Sequence, residues 1–209
     1  METGSTGVVS SSTASLQLVK TLLHSVVSDN AECTTIDIDD FFLLSTLPRD
    51  EYIRIQVPIL PDDIREEFKL DQFIYNGFVL FEVTKGMYGL RQAGYLAQKE
   101  LVDYLAGFDY YPSNTDPCLF RHKTNGVAFT PVVDDFLIKY KDRDSAMHLL
   151  TSLQARYPLK FDCYLCQYLG IDIAFDKRRR TVKLSIPGYI PKMVLVSLLL
   201  RVFYVPRTS

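Results

Sequence analysis

The chain has 209 residues, of which 47% are hydrophobic, so it is long enough to bury the core of one domain. Its formal net charge of −2 argues against a broadly basic nucleic-acid-binding surface, although a catalytic centre can itself be acidic. We expect no signal peptide, and the apolar run 193–200 is too short to cross a bilayer. These features predict an intracellular protein, in the cytoplasm or the nucleus, that does not contact a membrane.

The cysteines give no zinc signature. Cys163 and Cys166 form a single CxxC pair, but no second pair of cysteines or histidines completes the spacing that a zinc site needs. This pattern favours buried free thiols in a reducing compartment.

The first half of the chain alternates predicted helices and strands after a polar start. Residues 1–14 are rich in Ser, Thr and Gly and are predicted to be disordered. Apolar residues then recur with helical spacing, or alternate with polar residues as in strands. The predicted elements are a helix at 16–27, strands at 34–39, 51–57 and 78–83, a turn at 58–63, and a helix at 92–108 that ends near Gly107.

The second half is richer in hairpins. Asn125-Gly126 is a strong turn signal between two apolar runs, and a basic turn at 176–180 separates two further runs. The predicted elements are strands at 119–122 and 127–133, a helix at 144–157, strands at 164–175 and 181–186, and a last helix that begins at Pro187-Gly188. Helices that alternate irregularly with antiparallel hairpins indicate an α+β fold.

Two acidic stretches interrupt these apolar runs. Asp134 and Asp135 lie in the run 129–140, which is typical of two short strands with the acids at or near the turn. Asp37 lies in a second strand-like run, 34–42. Like charges on an apolar ribbon are unfavourable unless a cation or strong donors compensate them, so the three carboxylates are candidates for a Mg²⁺ site. An ordinary Asp-Asp surface turn is the alternative.

Four motifs follow one another along the chain. They are an Asp followed five residues later by an aromatic (Asp37 and Phe42), YGLRQA at 88–93, VVDD at 132–135 and YLGIDI at 168–173. With these motifs the chain resembles the reverse transcriptases of copia-type long-terminal-repeat retrotransposons over residues 16–193. The resemblance implies a polymerase palm with partial fingers at 15–193, in which an antiparallel sheet carries the acidic site and helices pack on one face. Residues 194–209 match no motif and form an unassigned tail.

The activity implied by the resemblance is reverse transcription, the template-directed addition of deoxynucleotides to a primer by two-metal nucleotidyl transfer. The implied catalytic residues, which with the backbone carbonyl of Ile38 would bind Mg²⁺ or Mn²⁺, are Asp37, Asp134 and Asp135. The implied nucleotide contacts are the backbone N–H groups of Asp40 and Phe41, the bulky ring of Phe42, which would exclude a 2′-hydroxyl, and Gln92. Phe42 as plain core and Gln92 as an unremarkable helix residue are the alternatives.

The implied primer and template contacts are Tyr88, Gly89, Arg91, Val132, Leu169 and Gly170. Arg91 is equally compatible with plain exposure, and the basic turn 177–180 with either phosphate contact or a solvated hairpin tip. Lys160 precedes the last motif, near where the family places a lysine that protonates pyrophosphate, although the spacing here is loose. The implied partners are a primer on an RNA or DNA template and deoxynucleoside triphosphates.

The chain also departs from the family pattern. Val132 replaces the usual aromatic before the Asp-Asp pair, and Ser- and Thr-rich sequence stands where basic finger strands would be. We therefore expect a truncated domain that relies on thumb and ribonuclease H segments of a parent polyprotein. The alternatives are a catalytically silent descendant that binds nucleic acid or protein, and an unrelated α+β domain with an acidic turn.

Overall fold

The computed structural model describes residues 13–162, 167–191 and 193 of the chain. Its α-helices are α1 (Leu16–Ser28), α2 (Asp62–Glu67), α3 (Arg91–Ala106) and α4 (Arg143–Gln154). Its strands are β1 (Glu32–Ile38), β2 (Thr46–Gln56), β3 (Phe78–Lys85), β4 (Tyr110–Pro112), β5 (Phe120–His122), β6 (Ala128–Val132), β7 (Asp135–Tyr140), β8 (Leu159–Asp162), β9 (Gln167–Tyr168), β10 (Ile171–Asp176) and β11 (Thr181–Ser185). A short 3₁₀ helix, Phe41–Leu44, follows β1. Within the described residues no helix is both long and apolar enough to span a membrane.

A six-stranded antiparallel sheet in the order β4-β5-β6-β7-β1-β8 forms the centre of the fold. Successive side chains of a strand point to opposite faces, so β7 supplies Phe136 and Ile138 to one face and Leu137 to the other. All three side chains are at most 2% exposed. The unbroken apolar run that follows the acids is therefore explained by burial on both faces of the sheet.

Helices cover both faces of this sheet. Helices α3 and α4 pack on the face that carries Phe136, whereas α1 and a three-stranded sheet, β11-β10-β9, pack on the face that carries Leu137. The antiparallel α+β prediction is confirmed, but the prediction that helices pack on one face only is wrong. The reason is that α1 has its own apolar stripe, which must be buried against the second face (Val19, Leu22, Leu23 and Val26).

Strands β2 and β3 form a separate antiparallel ribbon. Along β2, Ile53 and Ile55 are half-buried while Tyr52 and Arg54 are exposed, which is the alternation that the sequence predicted. The Arg54 guanidinium lies over the Phe78 ring across the ribbon, 4.1 Å from the ring centroid. The ribbon contacts both the 3₁₀ helix after β1 and helix α3, so it connects the first acidic motif to the YGLRQA segment.

Several predicted segments differ from the structure. The predicted strand 164–175 is wrong at Leu169 and Gly170, whose φ angles of +52° and +73° form a two-residue hairpin turn between β9 and β10. The predicted turn 58–63 instead contains the end of a 3₁₀ helix (Val57–Ile59) and the start of α2. The prediction lacks β4 and β8, which are short strands of three and four residues.

Some predictions fall outside the described residues. They concern the disorder of residues 1–12, the CxxC pair Cys163 and Cys166, and the tail 194–209. The predicted last helix is described only at residues 189–191 and 193, which are helical. The other two cysteines, Cys33 and Cys118, are free thiols, and burial raises the pKa of Cys33 to about 12.

Candidate active site

The pairing of β1 with β7 brings the predicted acidic residues to one end of the central sheet. In the antiparallel register Asp37 lies directly opposite Asp135, the first residue of β7. Asp134 lies in the two-residue turn between β6 and β7, and its carbonyl oxygen accepts a hydrogen bond from the Ile38 N–H at 3.0 Å. The strands that carry Asp37 and Asp135 are therefore neighbours, and residues directly opposite each other share one face of the sheet.

The turn before Asp134 has an unusual backbone conformation. Val133 has a φ of +62°, in the left-handed region that β-branched residues rarely adopt. Such strain costs about 1–3 kcal/mol and persists only where the surroundings enforce it. The enforcing contacts here are the pairing of Val132 with Asp135 and the packing of the Val133 side chain on the main core. The hairpin itself therefore holds the Asp134 backbone in place.

The acidic end of the sheet is unfavourable electrostatically. Partial burial is the largest cause of a raised pKa at both Asp37 and Asp135, and the negative charge of Asp134 raises both pKa values further. Lys160 opposes this effect at Asp37, which it faces across the β1–β8 pair. A cation bound beside these carboxylates would relieve the same repulsion.

Lys160 lies closer to the acids than its loose spacing in the sequence indicates. Its Nζ donates a hydrogen bond of 2.6 Å to Oδ1 of Asp39, and this contact raises the pKa of Lys160. The Lys160 side chain is 73% exposed, so water screens the ion pair and its contribution to stability is small. Lys160 therefore lies at the edge of the acidic site, on the strand beside Asp37.

The donor chemistry of this site suits a hard divalent cation such as Mg²⁺, which prefers carboxylate and carbonyl oxygens. Among the residues that the structure describes, however, no group of three or more Asp, Glu, His or Cys side chains is gathered closely enough to hold a metal ion. Ionised carboxylates repel one another, so strand pairing brings their backbones together while the side chains stay apart. The residues match a cation in donor type and in charge, but the described side chains are not gathered around one point.

The 3₁₀ helix after β1 and the residue that precedes it carry three of the predicted nucleotide contacts. Phe41 is 3% exposed and belongs to the main core, so its ring is not available to a nucleotide. Asp40 is exposed and precedes this helix with a φ of +55°. Phe42 is half-buried and packs at the edge of the core, so its ring combines core contact with partial exposure.

The segment around YGLRQA passes close to Phe42. A hydrogen bond of 3.2 Å closes a turn over residues 87–90, with Tyr88 and Gly89 at its centre. Gly89 has a φ of +95°, which the third position of such a turn requires and which glycine adopts without strain. Gly86 is required for a different reason, because a Cβ there would lie only 2.5 Å from the Phe42 carbonyl oxygen.

Tyr88 projects from this turn beside the acidic site. Its ring meets the Phe42 ring edge to face, with the two centroids 4.9 Å apart. Loss of solvent contact raises the pKa of the Tyr88 hydroxyl, and the charges of Asp134, Asp40 and Asp37 add to this effect. Tyr88 therefore lies within the electrostatic range of the carboxylates, although motif reasoning made it only a primer or template contact.

The side chain of Gln92 is directed to the ribbon. Its Nε2 donates a hydrogen bond of 2.8 Å to Oε1 of Glu51 on β2, and Glu51 also pairs with Arg49 at 3.2 Å. A nucleotide contact by Gln92 would therefore compete with Glu51, a residue that motif reasoning missed. Arg91 begins α3, but its side chain lies outside the described part of the structure.

The remaining predicted primer contacts lie at β6 and at the β9–β10 turn. Val132 is half-buried against the apolar cluster beneath the three-stranded sheet. Leu169 is 43% exposed at the turn that it forms with Gly170. Next to this turn, the Tyr168 hydroxyl donates a hydrogen bond of 3.3 Å to the Asp135 carbonyl. Motif reasoning missed this role of Tyr168, although a tyrosine opening an apolar motif is a signal for a buried hydroxyl that needs a partner.

The basic turn 177–180 is attached to the body of the protein. Lys177 forms an ion pair with Glu32 at the start of β1. Arg180 donates a hydrogen bond of 2.6 Å to the Ser28 carbonyl at the end of α1, where carbonyl groups lack partners within the helix. Lys177 and Arg180 therefore contact the body of the protein, and Arg179 pairs with Asp176 within the turn at 3.7 Å.

A comparison with protein families tests the resemblance that the motifs indicate. The reverse transcriptase (RNA-dependent DNA polymerase) family matches residues 5–200, which is nearly the whole chain. The chain therefore belongs to the reverse transcriptase family, and the recognition based on its motifs is confirmed.

A particular relative is the retrovirus-related Pol polyprotein from transposon TNT 1-94 of Nicotiana tabacum. The two are 25% identical over 154 residues, which cover 69% of this chain and 11% of the polyprotein. The chain thus corresponds to a small part of that relative's length. No solved structure matches the chain.

Proposed function

We propose that this chain performs template-directed DNA synthesis by two-metal nucleotidyl transfer, as the polymerase part of a retrotransposon polyprotein or of its remnant. The observation that carries the proposal is the register of β1 and β7, in which Asp37 lies opposite Asp135 with Asp134 in the adjoining turn. This arrangement, in a chain of the reverse transcriptase family, supports the reaction because carboxylates from separate strands must approach one reacting centre.

The acidic residues would hold the metal. Asp37, Asp134 and Asp135, with the Ile38 carbonyl, would bind Mg²⁺ or Mn²⁺, which activates the primer hydroxyl and neutralises charge on the triphosphate. Lys160 lies opposite Asp37 on β8 and is exposed, which suits it to donate a proton to the departing pyrophosphate.

Neighbouring residues would bind and orient the nucleotide. The backbone N–H groups of Asp40 and Phe41 would contact the triphosphate, and the half-exposed ring of Phe42 would exclude a 2′-hydroxyl by its size. Gln92 would reach the nucleotide only after releasing Glu51.

The proposed partners are a primer on an RNA or DNA template, deoxynucleoside triphosphates, and thumb and ribonuclease H segments of the parent polyprotein. The proposed primer and template contacts are Tyr88, Gly89, Arg91, Val132, Leu169 and Gly170. Tyr88 and Leu169 are the two of these whose side chains are well exposed in the described structure.

A catalytically silent module that binds nucleic acid or protein is the second candidate. It is favoured by the separation of the carboxylates, since the described residues hold no group of three metal-ligating side chains close together. In such a module the acidic strands would be retained for their pairing and packing and not for metal binding.

Primer extension on an RNA template with Mg²⁺ or Mn²⁺ tests the proposal. Positioning of the reactants supplies roughly 7–11 kcal/mol in favourable cases, so without thumb and basic finger segments we expect weak extension, limited to low salt. A fusion that supplies those segments from a copia-type relative should extend the primer, and Asp134→Asn should abolish extension. Asp144→Asn, which changes an exposed acid in the first turn of α4, is the matched control and should leave extension unchanged.

The outcomes separate the two candidates. A fusion that binds primer–template tightly but never extends it in either metal would favour the silent module. Extension that survives both Asp134→Asn and Asp37→Asn would refute the assignment of the acidic centre.

A further inference from the structure

Phe42, the proposed barrier to a 2′-hydroxyl, lies between two other aromatic rings. From the core side, the buried ring of Phe41 lies with its centroid 6.0 Å from that of Phe42. From the exposed side, the Tyr88 ring approaches at 4.9 Å with an interplanar angle of 76°. Aromatic pairs prefer this edge-to-face geometry, so Tyr88 restricts the positions that are open to the Phe42 ring.

Backbone contacts on both sides of Tyr88 fix its main chain at this place. Two residues before it, the Gly86 N–H donates a hydrogen bond of 2.9 Å to the carbonyl of Ser45, which is buried at the end of the 3₁₀ helix. One residue after it, Gly89 provides the positive φ that closes the turn over residues 87–90. The main chain of Tyr88 is therefore held beside Phe42 by backbone contacts, and the edge-to-face contact with Phe42 orients the ring.

Core packing does not explain why an aromatic side chain stands at position 88. Its side chain is 61% exposed, so it gains little from burial. What the ring contacts is Phe42, and what surrounds its hydroxyl is the negative charge of Asp134, Asp40 and Asp37. An exposed aromatic held beside an acidic centre indicates a contribution to the site.

We propose that Tyr88 is a positioning residue for nucleotide selection: its ring fixes the Phe42 ring, and the pair together, more than Phe42 alone, excludes nucleotides that carry a 2′-hydroxyl. The inference rests on the proposed polymerase function and adds a specificity determinant to it. A Phe42 ring restrained only from the core side would rotate about its side-chain bonds and make room for one more oxygen atom. Loss of the interaction energy of one edge-to-face pair corresponds to about a two- to twelvefold change in the ratio of two dissociation constants, here those of a nucleotide with and a nucleotide without a 2′-hydroxyl.

The test measures discrimination between dATP and ATP. Their dissociation constants are determined by equilibrium dialysis with the full 209-residue chain, Mn²⁺ and a primer–template whose templating base is U and whose primer ends in a 3′-dideoxynucleotide, so that no nucleotide is incorporated. The wild type is expected to prefer dATP. Tyr88→Ala should shift the ratio of the two dissociation constants about two- to twelvefold in favour of ATP, because only the 2′-hydroxyl gains room. A loss of folding would weaken both nucleotides and would not produce this shift.

Further variants isolate the ring from other effects. Tyr88→Phe keeps the ring and should keep the wild-type ratio, whereas Tyr88→Leu keeps apolar bulk without a ring and should behave like Tyr88→Ala. Phe42→Ala should remove the preference for dATP. Tyr75→Ala changes a tyrosine that is 77% exposed outside this cluster, and it should leave the ratio unchanged.

Each outcome decides the inference. An unchanged ratio in Tyr88→Ala and Tyr88→Leu, with dATP still bound, would overturn it and leave the proposed function standing. Equal weakening of both nucleotides, or a Tyr88→Phe variant as altered as Tyr88→Ala, would also overturn it, because the Tyr88 ring would then not act through Phe42. A wild-type chain that binds neither nucleotide would overturn the proposed function as well.

Discussion

Gly86→Ala tests the closest backbone approach between the YGLRQA segment and the 3₁₀ helix after β1. An added Cβ would lie 2.5 Å from the Phe42 carbonyl oxygen, whereas ordinary contact begins at 3.4 Å, so the two backbones would have to separate by about 0.9 Å (3.4 − 2.5). No flexible side chain can move aside to absorb this change. Overpacking of this kind lowers the free energy of unfolding by about 1–3 kcal/mol, which for a domain of this size lowers the Tm by about 2–12 °C.

Urea unfolding followed by circular dichroism measures this effect. The matched control is Gly107→Ala at the end of α3, where φ is −65° and the added Cβ would lie 3.3 Å from the Tyr104 carbonyl oxygen. This control should change the free energy of unfolding by less than about 0.5 kcal/mol. Gly86→Ala should also weaken dATP binding, because it displaces the Phe42 backbone. Wild-type stability in Gly86→Ala, or an equal loss in Gly107→Ala, would refute the reasoning.

Three further predictions concern charge. Mn²⁺ should raise the Tm of the wild type more than that of Asp134→Asn in a thermal-shift assay, because a ligand stabilises the state that it binds; equal shifts would contradict the proposed site. The folded-state pKa of Asp37 is raised, so the stability contributed by this carboxyl is lost as the pH rises from its unfolded to its folded pKa. In urea unfolding without metal, the stability of Asp37→Asn relative to wild type should therefore be greater at about pH 7 than at about pH 4. An equal relative stability at the two pH values would contradict the raised pKa. Burial is the largest cause of a lowered pKa at His122, and the charge of His148 lowers this pKa further. The contribution of His122 to the free energy of unfolding is therefore complete above its unfolded pKa and is lost as the pH falls toward its folded pKa. His122→Gln should lose less stability than wild type between about pH 7 and pH 5, and equal losses in the two proteins would count against this cause.

The features that the sequence predicted well are those with a local signal. Asp134 and Asp135 interrupt an apolar run, and the structure has a two-residue turn and a strand start at these residues. Asn125-Gly126 predicted the hairpin of β5 and β6, where Gly126 has a φ of +78°. In both cases a few adjacent residues contain the physical cause of the structure, since turn geometry depends on side chains that are neighbours in the chain.

The features that the sequence did not reveal depend on distant partners. Strand β8 lies beside β1 in the central sheet, although its four residues are too few for their alternation to indicate a strand. Gln92 is held by Glu51, which lies 41 residues earlier and carries no motif. The turn at Leu169-Gly170 lacks the Asn-Gly or Asp-Gly pair that marks such hairpins, so an apolar run concealed it. Local periodicity does not contain these tertiary contacts.

The strands that carry the acids are held together by groups other than the acids. Next to Asp37 and Asp135 in the register, Ile36 lies opposite Phe136, and both side chains are at most 2% exposed. Burial of this pair and the main-chain hydrogen bonds stabilise the register, whereas the carboxylates oppose it, as the raised pKa values of Asp37 and Asp135 indicate. A chain of this family can therefore lose its activity through substitution of an acid and still keep its fold. Stability alone does not distinguish a polymerase from a silent descendant, whereas a Mn²⁺-dependent rise in Tm that Asp134→Asn removes links the fold to the chemistry.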